Sequence, residues 1–441
     1  MGSFFGTDGI RWKVGKESSC EIAFRCGNSL GEKNKKILIG RDTRNTGFLI
    51  TLLFASGVIQ AGGTVIDVGV CPTAGISYLT KKQGFDYGVV VSASHNPAEY
   101  NGIKIFDSNG VKLGDSRECD LEKGFFKNKF ANAEQIGMYE YCSKLVKDYE
   151  TFLVKATDFK INKKIVLDCS NGAASMIAPR VFKKLGAQVI AVSCRPNGQN
   201  INKGCGVLNI QNLQKLVLNH EADMGFAFDG DSDRVLAVDE NGIVVDGDKM
   251  IYMFASSYQK QGKLSNPQVV GTTYTNIAVE SALKHKGINL LRAEVGDKYV
   301  SKKLNENNLL IGGEPSGHIF VKDKLQTGDG ILNAILIASM CESENKKLSE
   351  FFDYKPLFQY SKNIHVENKT KIIESERLAS AVVEIKNKLA GKGRLIVRAS
   401  GTESLIRVTI ECEDKKIAEK HVEKLTEIIN KLNMEIVACV E

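Results

Sequence analysis

The stretch KILIGRDTRNTGFLITLLFASGVIQ, residues 36–60, carries the fold in miniature. Lys36 to Ile39 form a short apolar run suited to a buried strand, Gly40-Arg41-Asp42 opens a polar loop, and Phe48 to Gln60 has the spacing of an amphipathic helix. The same succession recurs further along. Ile165 to Leu167 runs into Asp168-Cys169-Ser170-Asn171-Gly172 ahead of a helical Pro179 to Leu185, and Gln268 to Gly271 precedes a helix over Ala278 to Lys286. Another apolar strand, Tyr87 to Val91, enters a loop of Ser, His, Asn and Pro. Such alternation predicts an α/β protein, with mixed or parallel sheets covered by helices and ligands at the carboxyl ends of the strands.

No residue-level repeat accompanies this plan, but its recurrence near residues 37, 165 and 269 points to three similar mixed-sheet α/β domains. The C-terminal region differs: strands at Arg394 to Val397 and Leu405 to Glu411 precede a charged helix from Asp414 to Leu432, which predicts a smaller α+β domain. Composition shifts near Tyr149 to Lys164, Ser256 to Gln268 and Phe358 to Thr370 place the expected domains at 1–152, 153–255, 256–362 and 363–441, with a hinge near Asn363 to Thr370.

The chain of 441 residues has 43% hydrophobic and 25% charged residues, with 41 Gly and 7 Pro, a composition that excludes a mainly disordered or collagen-like chain. Its 59 Lys and Arg against 52 Asp and Glu leave +7, a modest bias toward anionic ligands that does not argue for nucleic acid or membrane. The short basic cluster Lys33, Lys35 and Lys36 has no aromatic company and reads as a solvated face. Eleven cysteines without a Cys-x-x-Cys or clustered His exclude a disulfide framework and a zinc module. The start MGSFFGTDGI shows no secretion leader, and the apolar Phe48 to Ile59 is too short for a bilayer and broken by Thr51, Ser56 and Gly57. A cytoplasmic protein is expected.

Four loops hold the chemistry. VVVSASHNPAEYNGIKIF, residues 89–106, delivers Ser94 to a strand end, where its hydroxyl could act as nucleophile or phosphate carrier; a turn capped by Ser or Asn is the alternative. A Ser-His-Asp triad is disfavoured, because His95 follows Ser94 directly and neighbours on extended backbone point apart. In ADMGFAFDGDSDRVLAVDENGIVVDGD, residues 222–248, Asp229, Asp231 and Asp233 can converge on a hard cation if the backbone turns. An EF-hand is rejected, since Arg234 stands where its sixth-position Gly is required and VLAV begins a strand. LLIGGEPSGHIFVKDKLQTGDGI, residues 309–331, offers Glu314, Ser316 and His318 to a polyhydroxylated ligand. RLIVRASGTESLIRVTIE, residues 394–411, brings Arg398, Ser400, Gly401, Thr402 and Arg407 together as a phosphate cradle, with an Arg-bearing hairpin as the plainer alternative.

Taken in this order, the four loops resemble those of the α-D-phosphohexomutase family over essentially the whole chain. Its amino-sugar branch is suggested by FGTDGIR at 5–11, PNGQNINKGCG at 196–206, GGEPSGH at 312–318, TGDGI at 327–331 and RASGTESLIRV at 398–408. The resemblance implies four domains around one central cleft, each supplying one loop. It implies that Ser94 is a phosphoserine and that Mg²⁺ is held by its phosphate with Asp229, Asp231 and Asp233. Arg11, Lys104 and Arg234 would then balance the negative charge, and His95 and His318 join the catalytic set. Lys104 is the family candidate for general acid/base work, which requires its pKa lowered.

The implied reaction interconverts glucosamine 6-phosphate and glucosamine 1-phosphate, on the route to UDP-N-acetylglucosamine and cell-wall precursors, with glucosamine 1,6-bisphosphate as intermediate and activator. Glu314 and Ser316 would grip the sugar while Arg398 to Thr402 and Arg407 hold the unreacting phosphate. The partner is thus a phosphorylated amino sugar, and a homodimer is compatible with the chain. A phosphomannomutase or phosphoglucomutase of the same family, and a non-catalytic sugar-phosphate sensor, are the alternatives. Some positions depart from the family pattern. Trp12 replaces a Gly beside Arg11, Ala399 and Ser404 replace prolines, Val207-Leu208-Asn209 lacks an expected His, and Lys298 stands for Arg.

Overall fold

The computed structural model describes residues 4–15, 19–125, 130–400 and 404–438. The chain falls into two compact units, Met1–Tyr274 with Ile288–Phe352, and Thr275–Gly287 with Asp353–Glu441. The first unit begins with β1 (Ile10–Lys13), α1 (Ser19–Leu30), β2 (Lys36–Arg41), α2 (Gly47–Gln60), β3 (Thr64–Val70), α3 (Thr73–Gln83), β4 (Tyr87–Val91), β5 (Tyr100–Asp107), α4 (Asp115–Phe125) and β6 (Tyr139–Tyr141). Its strands form one sheet, ordered β1-β5-β4-β2-β3-β6, in which β5 runs antiparallel to both its neighbours and the other pairs are parallel.

After α5 (Val146–Val154) come β7 (Lys164–Asp168), α6 (Ala174–Lys184), β8 (Gln188–Val192), α7 (Ile210–Asn219), β9 (Met224–Phe228), β10 (Val235–Asp239) and β11 (Val244–Val245), in the sheet order β11-β10-β9-β7-β8. A third run follows: α8 (Gly247–Lys260), β12 (Gln268–Thr272), α9 (Ile277–His285), β13 (Asn289–Ala293), α10 (Asp297–Glu306), β14 (Ile311–Gly313), β15 (Ile319–Val321) and α11 (Gly330–Ser343). Its sheet is ordered β13-β12-β14-β15, and α9 is counted with the second unit.

The three sheets share one plan. A first strand (β2, β7, β12) has its successor (β3, β8, β13) on one side and the third strand (β4, β9, β14) on the other, all parallel. The third strand then returns as an antiparallel neighbour (β5, β10, β15). The recurrence expected near residues 37, 165 and 269 is the first strand of each repeat. The loops at the three antiparallel returns, 92–99, 229–234 and 314–318, each leave the carboxyl end of a third strand, where open α/β sheets bind ligands.

These third strands are apolar throughout because both faces are covered: Val89, Val90, Val91 and Met224 to Phe228 are all buried. The helix expected over Phe48 to Gln60 begins at Gly47 and buries Ile50, Phe54 and Val58, one turn apart. Truncating the fully buried Phe54 to Ala would cost about 3–5 kcal/mol. The outer face of α2 is less polar than an amphipathic helix requires, with Phe48, Leu49 and Leu52 exposed. Likewise α6 starts at Ala174 and carries Pro179 inside it rather than at its start.

In the second unit β16 (Phe358–His365), α12 (Lys369–Ile373), α13 (Glu376–Leu389), β17 (Gly393–Ala399), β18 (Leu405–Cys412) and α14 (Lys415–Ala438) build an antiparallel sheet, β16-β18-β17. The α13 and α14 helices cover it through Leu378, Ile385, Val422, Leu425 and Ile429, packed with Ile406, Val408 and Ile410. The segment expected as a hinge, Asn363 to Thr370, spans the end of β16, paired with β18 as far as His365↔Leu405, and the start of α12. Lys362, on the less exposed side of that strand between Tyr360 and Ile364, interrupts its apolar–polar alternation. Among the described residues, no helix is long and apolar enough to cross a membrane.

Candidate active site

Ser94 lies in the loop from β4 to β5 with φ +50°, a left-handed backbone that residues other than glycine seldom adopt. The bend is held from both sides. The Ser94 N–H donates to Ser92 Oγ at 2.9 Å, and the buried Ser94 hydroxyl donates to Asp229 Oδ2 at 2.6 Å. The expectation that Ser94 and His95 point apart assumed extended backbone; the left-handed turn instead leaves Oγ and His95 Nδ1 3.3 Å apart. No triad results. Asp229 takes the hydroxyl hydrogen, and burial, reinforced by Arg234 and Arg11, pushes His95 down to about 4.

Asp229, Asp231 and Asp233 converge as their spacing predicts, because the loop between β9 and β10 turns sharply, with φ +63° at Ser232. One ligand oxygen from each lies within 4.8 Å of the others, and all three side chains are buried. Gly230 permits the tight approach, since a Cβ there would stand 2.6 Å from the Ser94 carbonyl oxygen. Asp229 Oδ1 accepts the Arg234 N–H at 3.1 Å, and Asp231 Oδ2 accepts Thr73 Oγ1 at 2.6 Å. Asp231 Oδ1 and Asp233 Oδ1 are buried without a hydrogen-bond partner. Hard oxygens so close together, two of them unsatisfied, fit a divalent cation such as Mg²⁺.

Lys104 on β5 reaches the same cluster. Ile103 and Ile105 point into the core, so strand alternation turns Lys104 to the opposite face, where its ammonium bonds Asp231 at 2.7 Å and Asp233 at 2.8 Å. Asp8 lies 3.0 Å away. Burial acts to lower the Lys104 pKa, but Asp231, Asp233 and Asp8 outweigh it and hold the ammonium well above the ordinary lysine value. With these carboxylates as partners, Lys104 places a positive charge against the aspartate cluster. Asp229 behaves oppositely: burial, with Asp233 and Asp231 beside it, pushes its carboxyl well up.

Asp8 also pairs with Arg11 and Lys112, and Lys112 pairs with Asp297. His318 is buried between Asp233 and Asp297, with ring nitrogens 3.6 and 3.7 Å from their carboxylates. Gly328 leaves room for that ring, since a Cβ would stand 2.4 Å from Nε2. Glu314, Ser316 and His318 occupy the β14–β15 turn; Glu314 Oε1 accepts the Gly296 N–H at 2.9 Å, while Ser316 Oγ and Arg234 Nε are buried without a hydrogen-bond partner. Asp329 of the TGDGI motif caps α11 by accepting the Ile331 and Leu332 N–H groups at 3.0 Å. Trp12 departs from the family pattern without touching the chemistry, because it points into the hydrophobic core. Lys298 pairs with Asp115 and Glu118.

In the second unit Arg398 and Arg407 are directly opposed across β17 and β18, so their side chains leave one face of the sheet. Arg407 Nε bonds Asn363 at 2.6 Å, and the Ser400 carbonyl accepts Lys369 Nζ at 2.5 Å. Gly401 and Thr402 lie outside the described residues.

Sequence reasoning missed Asp8, Arg44, Thr73, Lys112, Asn202 and Asp297 at this site. Asp8 and Asn202 sit inside motifs that were singled out, FGTDGIR and PNGQNINKGCG, whereas Lys112 carries no local signal.

The chain matches the four phosphoglucomutase/phosphomannomutase descriptions in order: alpha/beta/alpha domain I over residues 2–132, domain II over 139–242, domain III over 246–357 and the C-terminal domain over 362–428. It belongs to this family, the phosphohexomutases, whose mutases are isomerases. Its curated relatives include phosphoglucosamine mutases. That of Caldicellulosiruptor saccharolyticus is 42% identical, covering 97% of this chain and 99% of the relative. That of Carboxydothermus hydrogenoformans is 40% identical, covering 98% and 100%. A Burkholderia thailandensis phosphoglucomutase/phosphomannomutase family protein shares the fold at TM-score 0.83 and 23% identity, covering 98% of each chain. An Aspergillus fumigatus N-acetylphosphoglucosamine mutase, solved with GlcNAc-6P and magnesium, does so at TM-score 0.65 and 18% identity, covering 97% of this chain and 96% of that one.

Proposed function

We propose that this chain is a phosphoglucosamine mutase that interconverts glucosamine 6-phosphate and glucosamine 1-phosphate through a phosphorylated Ser94. The observation that carries the reading is the Ser94 hydroxyl, buried and 2.6 Å from Asp229 within a cluster of three aspartates. Support for the amino sugar comes from relatives of that name at 40–42% identity. GlcNAc-6P and magnesium in the Aspergillus fumigatus enzyme support the ligand and metal classes.

Phosphorylated Ser94 passes its phosphoryl group to O1 of glucosamine 6-phosphate: the bond from phosphorus to the serine oxygen breaks as the bond to O1 forms, and the O1 proton ends on the departing serine oxygen. The resulting glucosamine 1,6-bisphosphate reorients and returns the group from O6 to Ser94. Mg²⁺, held by Asp229, Asp231, Asp233 and the Ser94 phosphate, would neutralise charge on the transferring group. Lys104, Arg11 and Arg234 add fixed positive charge, and His95 and His318 border the reacting centre. Glu314 and Ser316 bind sugar hydroxyls; Arg398, Ser400, Gly401, Thr402 and Arg407 bind the phosphate that is not reacting. Domain limits at 1–152, 153–255, 256–362 and 363–441, a homodimer and a cytoplasmic location belong to the same proposal.

The test compares turnover of glucosamine 6-phosphate, mannose 1-phosphate and glucose 1-phosphate, each with a trace of bisphosphate. The amino sugar is expected to lead. A preference of about tenfold for either hexose, worth about 1.4 kcal/mol, would overturn the assignment in favour of a hexose mutase.

A further inference from the structure

Arg44, in the loop between β2 and α2, has no part in the chemistry above, yet its side chain is wholly buried. A guanidinium has five N–H donors, and here every one is used. Nε donates to Asp42 Oδ2 at 2.9 Å. One terminal nitrogen donates to the carbonyls of Pro97 and, at 3.0 Å, Tyr100; the other donates to those of Ser94 at 2.9 Å and Asn96 at 2.8 Å. Three of the five bonds thus end on the loop that carries Ser94, and a fourth on Tyr100, where that loop enters β5.

Two further groups close the clamp. Asn202, from the second repeat, donates through Nδ2 to the same Ser94 and Asn96 carbonyls at 2.9 and 3.1 Å. Asp42 balances the guanidinium and accepts Ser92 Oγ at 2.6 Å, and that oxygen in turn accepts the Ser94 N–H at 2.9 Å. Both polar groups of the Ser94 backbone are fixed before any ligand arrives.

We propose that Arg44 is a positioning residue for phosphoryl transfer, gathering four carbonyls between Ser94 and Tyr100 so that Ser94 keeps its left-handed backbone and its hydroxyl stays aimed at the aspartates. This rests on the reading of Ser94 as the phosphoryl carrier. The clamp asks for a planar, five-donor cation: lysine offers three donors from a single point and would leave buried carbonyls unpaired. In-line transfer needs the serine oxygen in one place in both half-reactions, and a misplacement of about 1 Å can cost about 100-fold in rate.

The experiment measures steady-state kinetics on glucosamine 6-phosphate, melting temperature, and the rate at which glucose 1,6-bisphosphate phosphorylates the full-length protein, read by intact mass. Wild type is measured first; if it neither turns over a sugar phosphate nor takes up a phosphoryl group, the functional reading fails rather than the clamp. With an active wild type, Arg44→Lys is expected to lose about 100-fold in kcat while KM stays within about threefold, because no substrate-binding group is touched. Asn202→Ala removes two bonds to the loop and is expected to lose about tenfold in kcat at unchanged KM and melting temperature, with Ser94 phosphorylation slowed in proportion. Low-millimolar guanidinium should restore part of the rate of Arg44→Ala. If the Arg44 variants do not fold, Asn202→Ala decides alone. Wild-type kcat in Asn202→Ala, or a loss confined to KM, would overturn the proposal.

Discussion

Asp229, Asp231, Asp233, Lys104 and His318 in the first unit are buried, and both basic groups face carboxylates, whereas Arg398 and Arg407 in the second unit stand opposite one another in half-buried positions. In the first arrangement Lys104 and His318 already have carboxylates beside them, while two buried aspartate oxygens are left unsatisfied for a cation. The second sets two guanidinium groups side by side on one sheet face, with Arg407 donating to Asn363, and such donors suit a phosphate anion. On the proposed assignment the first region does the chemistry and the second grips the phosphate, so substitutions should separate with them: kcat effects in the first region, KM effects in the second.

The largest effect is expected for Ser94→Ala, which removes the phosphoryl carrier. Its kcat should fall by at least about 10³-fold with the melting temperature nearly unchanged. Next comes metal removal. Chelation should abolish turnover, added Mg²⁺ should restore it, and Asp231→Asn should lower kcat by about 10²–10³-fold without that rescue. Arg407→Ala should raise KM for the sugar phosphate by about 10- to 100-fold, the worth of one charge-assisted hydrogen bond, with kcat little changed. An equal loss in kcat would erase the distinction between the two regions.

The smallest effect on turnover belongs to Asp329, which tests how firmly the buried region is packed. Burial raises its carboxyl pKa to about 6, against the opposing bonds from Leu332 N–H, the Tyr149 hydroxyl and Ile331 N–H. The folded pKa thus lies above the unfolded value of 3.8, so the fold binds the extra proton between them. That contribution to stability is fully present below the unfolded pKa and is lost as pH rises through about 6, by on the order of 3 kcal/mol. Denaturation of wild type and Asp329→Asn across this window should show stability falling more steeply with rising pH in wild type, the difference being the Asp329 contribution, with Tyr149, Asp233 and Cys71 facing the group.

What was legible in the sequence followed from local pattern. Strand runs such as Tyr87 to Val91 and the i, i+2, i+4 aspartates needed no knowledge of distant contacts. The partners of those groups were hidden because they arrive from far along the chain: Lys104 meets Asp231 across 127 positions, and Lys112 meets Asp297 across 185. Arg44 lay inside the opening strand-loop-helix stretch, but nothing local told its guanidinium from a solvent-facing one. The antiparallel return that places each loop was missed for a similar reason, since strand direction is set by pairing and not by composition. The β16 strand is not legible as one because Lys362 interrupts its alternation.

The central claim, that Ser94 within the aspartate cluster carries the phosphoryl group, is met most directly by intact mass and peptide mapping after incubation with glucose 1,6-bisphosphate. One phosphoryl group should appear on Ser94 alone and disappear when glucosamine 6-phosphate is added. A phosphoryl group on another residue, or full mutase activity in Ser94→Ala, would contradict it.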